Sequence, residues 1–280
     1  MFPIYDPTND NDRAGLEQRL ESLRSAADPD GKWATLAAEL IRDTRKRGDA
    51  AIVEHMQQFT DPDFSADRMR VTQDELEAAD KQLTGELREA IEQAISNVYA
   101  YQKHIKPQDA EPVWIAEAEL GLRWTPITPV GLMVPGGSAV LFSSLIMLAV
   151  PAMVAGVKPG DITVVTPPPY RKECEPAKDI SPITLAVAHM LGLTKVYRIG
   201  GPPAVAALAY GTDTVDPVNF IAGPGHPVVQ AAKLRVNGVV GVDAFYGASE
   251  IVTVADDTCN IDAVAADLIA QAEHDPGKCF

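Results

Sequence analysis

The amino-acid sequence predicts an α/β protein built on a parallel β-sheet and preceded by a helical N-terminal region. Through the first hundred residues, apolar residues recur at three- and four-residue intervals, which is typical of amphipathic helices. From residue 130 onwards, short β-rich runs alternate with helical segments, which is typical of a parallel sheet. Three of these runs continue directly into glycine, as strands do where the chain turns sharply into a helix.

Two long helical stretches are expected in the N-terminal part, at residues 33–59 and 72–105. Thr72 and Glu75 have the spacing of a capping box, so the second stretch is expected to begin there. Residues 113–127 then alternate between apolar and polar as strands do, with a turn expected near Gly121.

Six runs of β-forming residues are expected as further strands. They occupy residues 130–134, 162–166, 195–199, 218–222, 240–245 and 251–255. The stretch 124–157 contains no charged residue, but prolines and glycines interrupt it and no basic cluster flanks it. A buried strand, a glycine turn and a buried helix are therefore expected there rather than a membrane span.

The composition restricts the class of function. The 280 residues carry a formal net charge of -15, with 46% apolar and 22% charged residues, which fits a soluble enzyme. Nucleic acid is not an expected partner, because its binding requires Lys and Arg to replace counterions. The three cysteines form no CxxC pair, which argues against a disulfide framework or a thiolate zinc site. The acidic, polar first residues predict no export signal, so a cytoplasmic location is expected.

Glycines follow three strands, at residues 134–137, 199–202 and 222–225. None of these turns has the GxGxxG pattern of dinucleotide-binding proteins. A single turn of this kind is most often only a tight connection between a strand and a helix. Three in one sheet favour a ligand crevice along its carboxyl edge, where helix N–H groups meet an anion.

The last helix is expected at residues 261–274, capped by Asn260 and with Val264, Leu268 and Ala272 as its buried stripe. Gln271 and His274 are three residues apart, so they share a face of this helix and could reach one metal ion. An amide oxygen is a weak zinc ligand, and at least two further ligands would be needed. The alternative to a metal site is that His274 is a lone histidine at the C-terminal end of a helix, where its charge interacts favourably with the helix dipole.

Six ordered motifs resemble those of histidinol dehydrogenase. They lie at residues 129–157, 164–169, 196–212, 221–225, 247–256 and 265–276. The resemblance implies a cytoplasmic, zinc-dependent homodimer that oxidises the small molecule L-histidinol twice with NAD, through the aldehyde, to L-histidine. It places this chain in histidine biosynthesis, with no membrane and no nucleic acid as a partner.

The resemblance also implies a division into lobes. The family has two incomplete Rossmann-like lobes with parallel sheets, one inserted in the other. Residues 130–248 are expected to form the inserted lobe, and residues 26–129 with 249–280 the outer lobe, which would be incomplete. Residues 1–25 are expected to be an N-terminal helical extension.

Three residues match functional positions of the family. Gln271 and His274 match two of its four zinc ligands, and Ser249 matches a serine that contacts the substrate. All three are therefore expected beside the substrate. The resemblance changes the expectation for His274 from a helix-end residue to a metal ligand.

Other family positions depart from the pattern. Three positions that contact NAD, usually Tyr, Gln and Asn, fall on Met133, Pro203 and His226. Met and Pro lack the polar groups of Tyr and Gln, whereas His226 retains ring nitrogens that could contact a cofactor. The family's catalytic Glu–His pair and its remaining Asp and His zinc ligands match no residue up to Phe280. The chain is therefore expected to lack the family's C-terminal part, to contain no catalytic residue, and to be inactive by itself.

Two other functions stay open at this point. A related dehydrogenase of another small polar alcohol would share the scaffold, and the residues at positions 133, 203 and 226 keep this possibility open. A non-catalytic remnant that acts as a binding or assembly module would explain both the altered NAD positions and the unmatched catalytic pair. Of the remaining histidines, His55 and His104 are expected at the surface, and His189 is expected to pack or to cap a helix.

Overall fold

A computed structural model describes residues 8–25, 31–136, 140–168, 179–244 and 251–272. It confirms the α/β fold with a helical N-terminal region and a parallel sheet. The helices are α1 (Asp10–Ser25), α2 (Lys32–Arg47), α3 (Asp49–Phe59), α4 (Gln73–Lys81), α5 (Gly85–Ile105), α6 (Phe142–Ala155), α7 (Pro182–Met190), α8 (Gly201–Tyr210), α9 (Pro227–Val236) and α10 (Ile261–Ala272). The strands are β1 (Ala110–Ile115), β2 (Ala118–Leu122), β3 (Val130–Met133), β4 (Ile162–Val165), β5 (Lys195–Tyr197), β6 (Phe220–Ala222) and β7 (Gly241–Val242).

The two predicted helical stretches each break into two helices. Gly48 ends α2 with a φ of 57°, and its N–H donates to Thr44 O at 2.8 Å. Thr84 adopts an extended conformation and precedes α5. Apolar periodicity does not reveal where one helix ends and the next begins, because the apolar residues keep a helical spacing on both sides of each break.

The capping box at the start of α4 is confirmed. The N–H of Glu75 donates to Thr72 Oγ1 at 3.3 Å, and the N–H of Thr72 donates to Glu75 Oε2 at 2.8 Å. These bonds satisfy two backbone donors that the first turn of a helix leaves free. They explain why α4 begins at this point.

Strands β1 and β2 form an antiparallel hairpin at the predicted place but with a different turn. Ile115 pairs with Ala118, so the turn lies at residues 116–117, and Ala116 has a φ of 54°. Gly121 lies within β2. Both strands are exposed along their whole length, and 66% of Trp114 is exposed.

The five-stranded parallel sheet has the order β5-β4-β3-β6-β7. Five of the six predicted runs form its strands. The prediction of a strand at residues 251–255 is wrong: Ile251 makes a single bridge, and Val252 and Val254 are 75% and 93% exposed. A β-rich run becomes a strand only when a neighbouring strand pairs with its backbone groups, and none of the described strands does so here.

Side chains alternate between the two faces of the sheet and bury both of them. Val130, Leu132 and Val164 pack with α6 and α7, whereas Met133 and Val165 pack with α8 and α9. The N-terminal helices form an outer layer: α4 packs on α7 and α5 on α6, while α2 packs on both α8 and α9. The sheet therefore lies at the centre of the layers described, and the division into lobes stays a prediction.

The uncharged stretch 124–157 forms the buried strand β3 and the helix α6, as predicted. Helix α6 has only 14 residues, contains Pro151, and ends at Gly156, where φ is 114°. In the part of the chain that the structure describes, no helix is both long and apolar enough to cross a membrane.

The buried side chain of Arg198 joins the end of β5 to the N-terminal region. Its Nε donates to Asp179 Oδ1 at 2.5 Å, and its Nη2 donates to Glu75 Oε1 at 2.6 Å. Its Nη1 donates to the carbonyl oxygens of Arg68 and Arg70 at 3.3 and 3.2 Å. Only 3% of Arg198 is exposed, so these contacts replace its hydration.

We predict that Arg198→Met lowers the free energy of unfolding by ~3 kcal/mol, because it removes four hydrogen bonds, two of them to carboxylates, that one buried guanidinium donates. Arg88→Met is the matched control. Arg88 pairs with Asp80 at 2.7 Å but is one-third exposed, so its loss should cost less than ~1 kcal/mol. Urea unfolding measures both values. Equal losses in the two variants would contradict the structural role of Arg198.

Candidate functional site

The point where the strand order reverses lies between β3 and β6. The chain goes outward from β3 through β4 to β5, and then returns to β6 on the other side of β3. Leu132 and Ala222 are direct partners, so the loops after these two strands start side by side. In open α/β sheets this position forms the ligand-binding crevice.

The glycines at this edge are required for loop packing. A Cβ on Gly136 would lie 2.1 Å from Pro167 O, and a Cβ on Gly223 would lie 2.2 Å from Met133 O. Side chains are thus excluded because the loops contact one another. The sequence predicted that glycine brings backbone close to a ligand, whereas at these two positions it brings backbone close to backbone. Gly137 lies outside the described residues.

The turn into α8 offers an anion fewer donors than expected. Gly201 has a φ of 69°, and Pro202 and Pro203 follow it in the first turn of the helix. Proline has no backbone N–H, so two of the usual donors of a helix N-terminus are missing. This turn is therefore a weaker anion site than a helix start without proline.

Two of the three residues that the sequence analysis predicts at NAD-contact positions are buried. Met133 is 5% exposed at the end of β3, and Pro203 is buried in the first turn of α8. Neither side chain has a hydrogen-bonding group beyond the weak acceptor of the thioether. In this conformation neither residue supplies a polar contact for a cofactor.

His226 is exposed at the edge of the sheet, where it is the N-cap of α9. Its Nδ1 accepts from the N–H of Val228 at 3.3 Å, and its ring meets Trp33 edge-on with centroids 4.7 Å apart. Partial burial, and secondarily the charge of Lys32, lower the pKa of His226. The ring is therefore neutral at pH 7, with an accepting Nδ1 and a proton on Nε2 that can donate.

His55 is partly buried, contrary to the expected surface position, whereas His104 is exposed as predicted. The His55 ring packs against Phe59, with centroids 4.8 Å apart. A Cβ on Gly201 would lie 2.8 Å from His55 Nε2, so this nitrogen faces the start of α8. Burial lowers the pKa of His55 to about 4. Helical periodicity could not reveal this, because α8 is remote in the sequence.

His189 lies in a second cleft, where its Nδ1 is 3.3 Å from Asp80 Oδ2. Asp80 also accepts from Arg88 Nη2 at 2.7 Å. The cleft is lined by Asp80, Arg88, Glu92, Ile95, Ser96, Tyr99, His189 and Met190. The Asp80 carboxylate is thus paired with Arg88 within the chain itself.

A buried ion pair that the sequence analysis missed lies behind the switch-point loop. Lys233 of α9 is fully buried, and its Nζ pairs with Asp243. Nζ also donates to Gly223 O at 2.9 Å and to Ala244 O at 3.3 Å. The N–H of Gly223 donates to Asp243 Oδ2 at 2.7 Å. A lysine among the apolar residues of α9 was the only sequence signal for this contact.

The structure describes only part of the predicted zinc and substrate site. Gln271 is buried on α10, and Asn260 Oδ1 caps that helix by accepting from the N–H of Asp262 at 3.0 Å. Of the predicted apolar stripe, Val264 is only partly buried and Leu268 is 36% exposed, so burial is not confirmed for these two residues. Ser249 and His274 lie outside the described residues. The described part of the chain contains no cluster of three His, Cys, Asp or Glu that could hold a metal, and one amide is not a zinc site.

Comparisons with known proteins agree on one family. A family model described as histidinol dehydrogenase matches residues 24–279. The chain is 45% identical over 241 residues to histidinol dehydrogenase from Caulobacter vibrioides, covering 85% of this chain and 53% of that protein. It is 41% identical over 267 residues to the enzyme from Cereibacter sphaeroides, covering 95% of this chain and 59% of that protein.

A solved structure supports the same relationship. The crystal structure of histidinol dehydrogenase from Elizabethkingia anophelis superposes with a TM-score of 0.76 at 34% identity. The match covers 87% of this chain and 54% of that one. The chain thus spans about half the length of the relatives it matches.

We predict that His55 makes the free energy of unfolding dependent on pH. Its pKa is lowered in the folded state, so the unfolded chain binds the proton more readily below pH 6.5. The stabilising effect of neutral His55 is present above pH 6.5 and is lost as the pH falls towards about 4. The slope is at most ~1.4 kcal/mol per pH unit. Comparing urea unfolding of wild type and His55→Gln at several pH values tests this, with His104→Gln as the exposed control. Identical pH profiles for wild type and His55→Gln would refute it.

Proposed function

The chain belongs to the histidinol dehydrogenase family, and on that premise we propose that it serves the two-step, NAD-linked oxidation of L-histidinol, through the aldehyde, to L-histidine. This reaction would place it in histidine biosynthesis. The observation that carries the proposal is the family match over residues 24–279, together with a Rossmann-like strand order in the same region. A homodimer in the cytoplasm, with zinc and NAD as cofactors, is part of the proposal.

The chemistry divides between cofactors and protein. Bound zinc would orient the amino alcohol and polarise its oxygen, and the nicotinamide would accept a hydride in each step. In this chain, we assign His226 to the cofactor side, because it is exposed at the switch point and its Nδ1 is already used to cap α9. We assign Ser249, Gln271 and His274 to the substrate side, with Gln271 and His274 also as zinc ligands.

The 280 residues by themselves are proposed to lack the oxidation chemistry. No residue among them matches the family's catalytic Glu–His pair, so proton transfer from the substrate has no assigned base. The non-catalytic alternative draws support from Met133 and Pro203, which are buried and offer no strong polar contact to NAD. Under that alternative, isothermal titration calorimetry would detect binding of neither NAD nor histidinol, even with zinc present.

We expect the 280-residue chain, loaded with zinc and supplied with NAD and L-histidinol, to produce no NADH above background. We also expect it to bind zinc weakly, because only Gln271 and His274 are available as family ligands. Absorbance at 340 nm and a zinc titration measure these outcomes. The Caulobacter vibrioides enzyme is the positive control. Ordinary turnover by the zinc-loaded chain would show that it contains its own base.

His226→Asn is expected to tighten NAD binding several-fold, because Asn supplies the amide that the family uses at this position. Asn is also a favourable N-cap, so α9 should be retained. Isothermal titration calorimetry compares the variant with wild type and with His104→Asn, the same change on an exposed helix. An unchanged dissociation constant for NAD would place the cofactor away from residue 226.

A further inference from the structure

We propose that the buried Lys233–Asp243 ion pair is a positioning pair, which holds the loop 223–226 and His226 in the conformation that receives the cofactor. The link to the cofactor rests on the proposed function. The link to the loop rests on contacts within the chain. The sequence analysis predicted neither Lys233 nor Asp243 as a site residue.

The pair holds the loop through both polar groups of one residue. Gly223 O accepts from Lys233 Nζ at 2.9 Å, and the Gly223 N–H donates to Asp243 Oδ2 at 2.7 Å. Gly223 has a φ of 133° and sits against Met133 O, where a Cβ would come within 2.2 Å. The first residue of the loop is therefore fixed on three sides, by α9, by the chain after β7 and by the end of β3.

Fixing Gly223 also fixes His226, three residues later. The loop is short and contains Pro224, and it ends in the N-cap contact between His226 Nδ1 and the N–H of Val228. Lys233 lies on the same helix that His226 caps. The helix is thus tied to both ends of the loop, at His226 through the cap and at Gly223 through Lys233.

Lys233 also contacts the backbone after β7. Lys233 Nζ donates to Ala244 O at 3.3 Å, and Ala244 is the last described residue before the segment that contains Ser249. One buried ammonium group therefore contacts both the backbone of the loop that precedes His226 and the backbone after β7.

A contribution to stability alone does not explain why this position holds a buried ion pair rather than apolar side chains. Lys233 is fully buried and Asp243 is 13% exposed, so both lose most of their hydration. Buried ion pairs can often be replaced by apolar residues of similar volume without loss of stability. A purely structural pair and a positioning pair therefore predict different results for an apolar replacement. Only the positioning pair predicts that the loop changes while the fold remains.

The test is the double variant Lys233→Met/Asp243→Leu, which removes both charges together. Lys195→Met/Asp216→Leu is the matched control, because this Lys–Asp pair is 3.6 Å apart and its carboxylate is 79% exposed. Amide hydrogen exchange at Val228 and Val229, whose N–H groups donate to His226, and the NMR titration of His226 report on the loop without any ligand. We expect at least tenfold faster exchange at both amides in the first variant, and a pKa of His226 that moves up towards 6.5 as its burial decreases. The control should match wild type.

Wild-type exchange rates and an unchanged His226 titration in a folded double variant would overturn the positioning role. If the double variant does not fold, Lys233→Met/Asp243→Asn replaces it, because this variant leaves no buried charge and the Asn side chain can still accept from the Gly223 N–H. The same exchange and titration measurements then decide. Wild-type values in this second folded variant would overturn the proposal equally.

NAD titration separates this inference from the proposed function. If the chain binds NAD, the double variant should bind it at least tenfold more weakly, and equal affinities would refute the link to the cofactor. If the wild-type chain does not bind NAD, the proposed cofactor is wrong. The exchange and titration results still decide whether the pair positions the loop.

Discussion

A parallel sheet exposes two apolar faces, and both must be covered; the rest of this structure depends on that constraint. The five strands of the parallel sheet are only two to four residues long, and β3 and β4 are buried at every position. Helices α6 and α7 cover one face and α8 and α9 cover the other. The N-terminal helices then cover those helices in turn, and Arg198 fastens this outer layer to the end of β5.

The same close packing shapes the carboxyl edge of the sheet. Gly136 and Gly223 let neighbouring loops touch backbone to backbone, and the Lys233–Asp243 pair lies behind them. Space that a ligand could use is therefore limited by contacts among the loops. Of the three residues predicted to contact the cofactor, all of which are described, His226 is the one exposed at this edge of the sheet. It is also tied to the N-terminal region through Trp33, so the cofactor side of the site depends on elements far apart in the sequence.

Membership of the histidinol dehydrogenase family relates the parallel sheet and its switch point to a family of oxidoreductases. The chain covers 53% of the Caulobacter vibrioides relative, and the family match over residues 24–279 includes the parallel sheet and the switch point. Met133 and Pro203 are buried, and neither side chain has a hydrogen-bonding group beyond the thioether of Met133, whereas His226 is exposed at the same edge of the sheet. We therefore propose that a cofactor at this edge contacts His226 and backbone groups rather than those two side chains.

The sequence by itself determined the fold class, five strands of the parallel sheet, the capping box at Thr72 and the family. These features are encoded in local periodicity, in short-range hydrogen bonding and in ordered motifs, all of which can be read along the chain. Only the tertiary structure decided that residues 251–255 are not a strand, that His55 is partly buried against α8, and that Lys233 pairs with Asp243. Each of these depends on which distant element supplies a neighbour, and neither periodicity nor residue type specifies that neighbour.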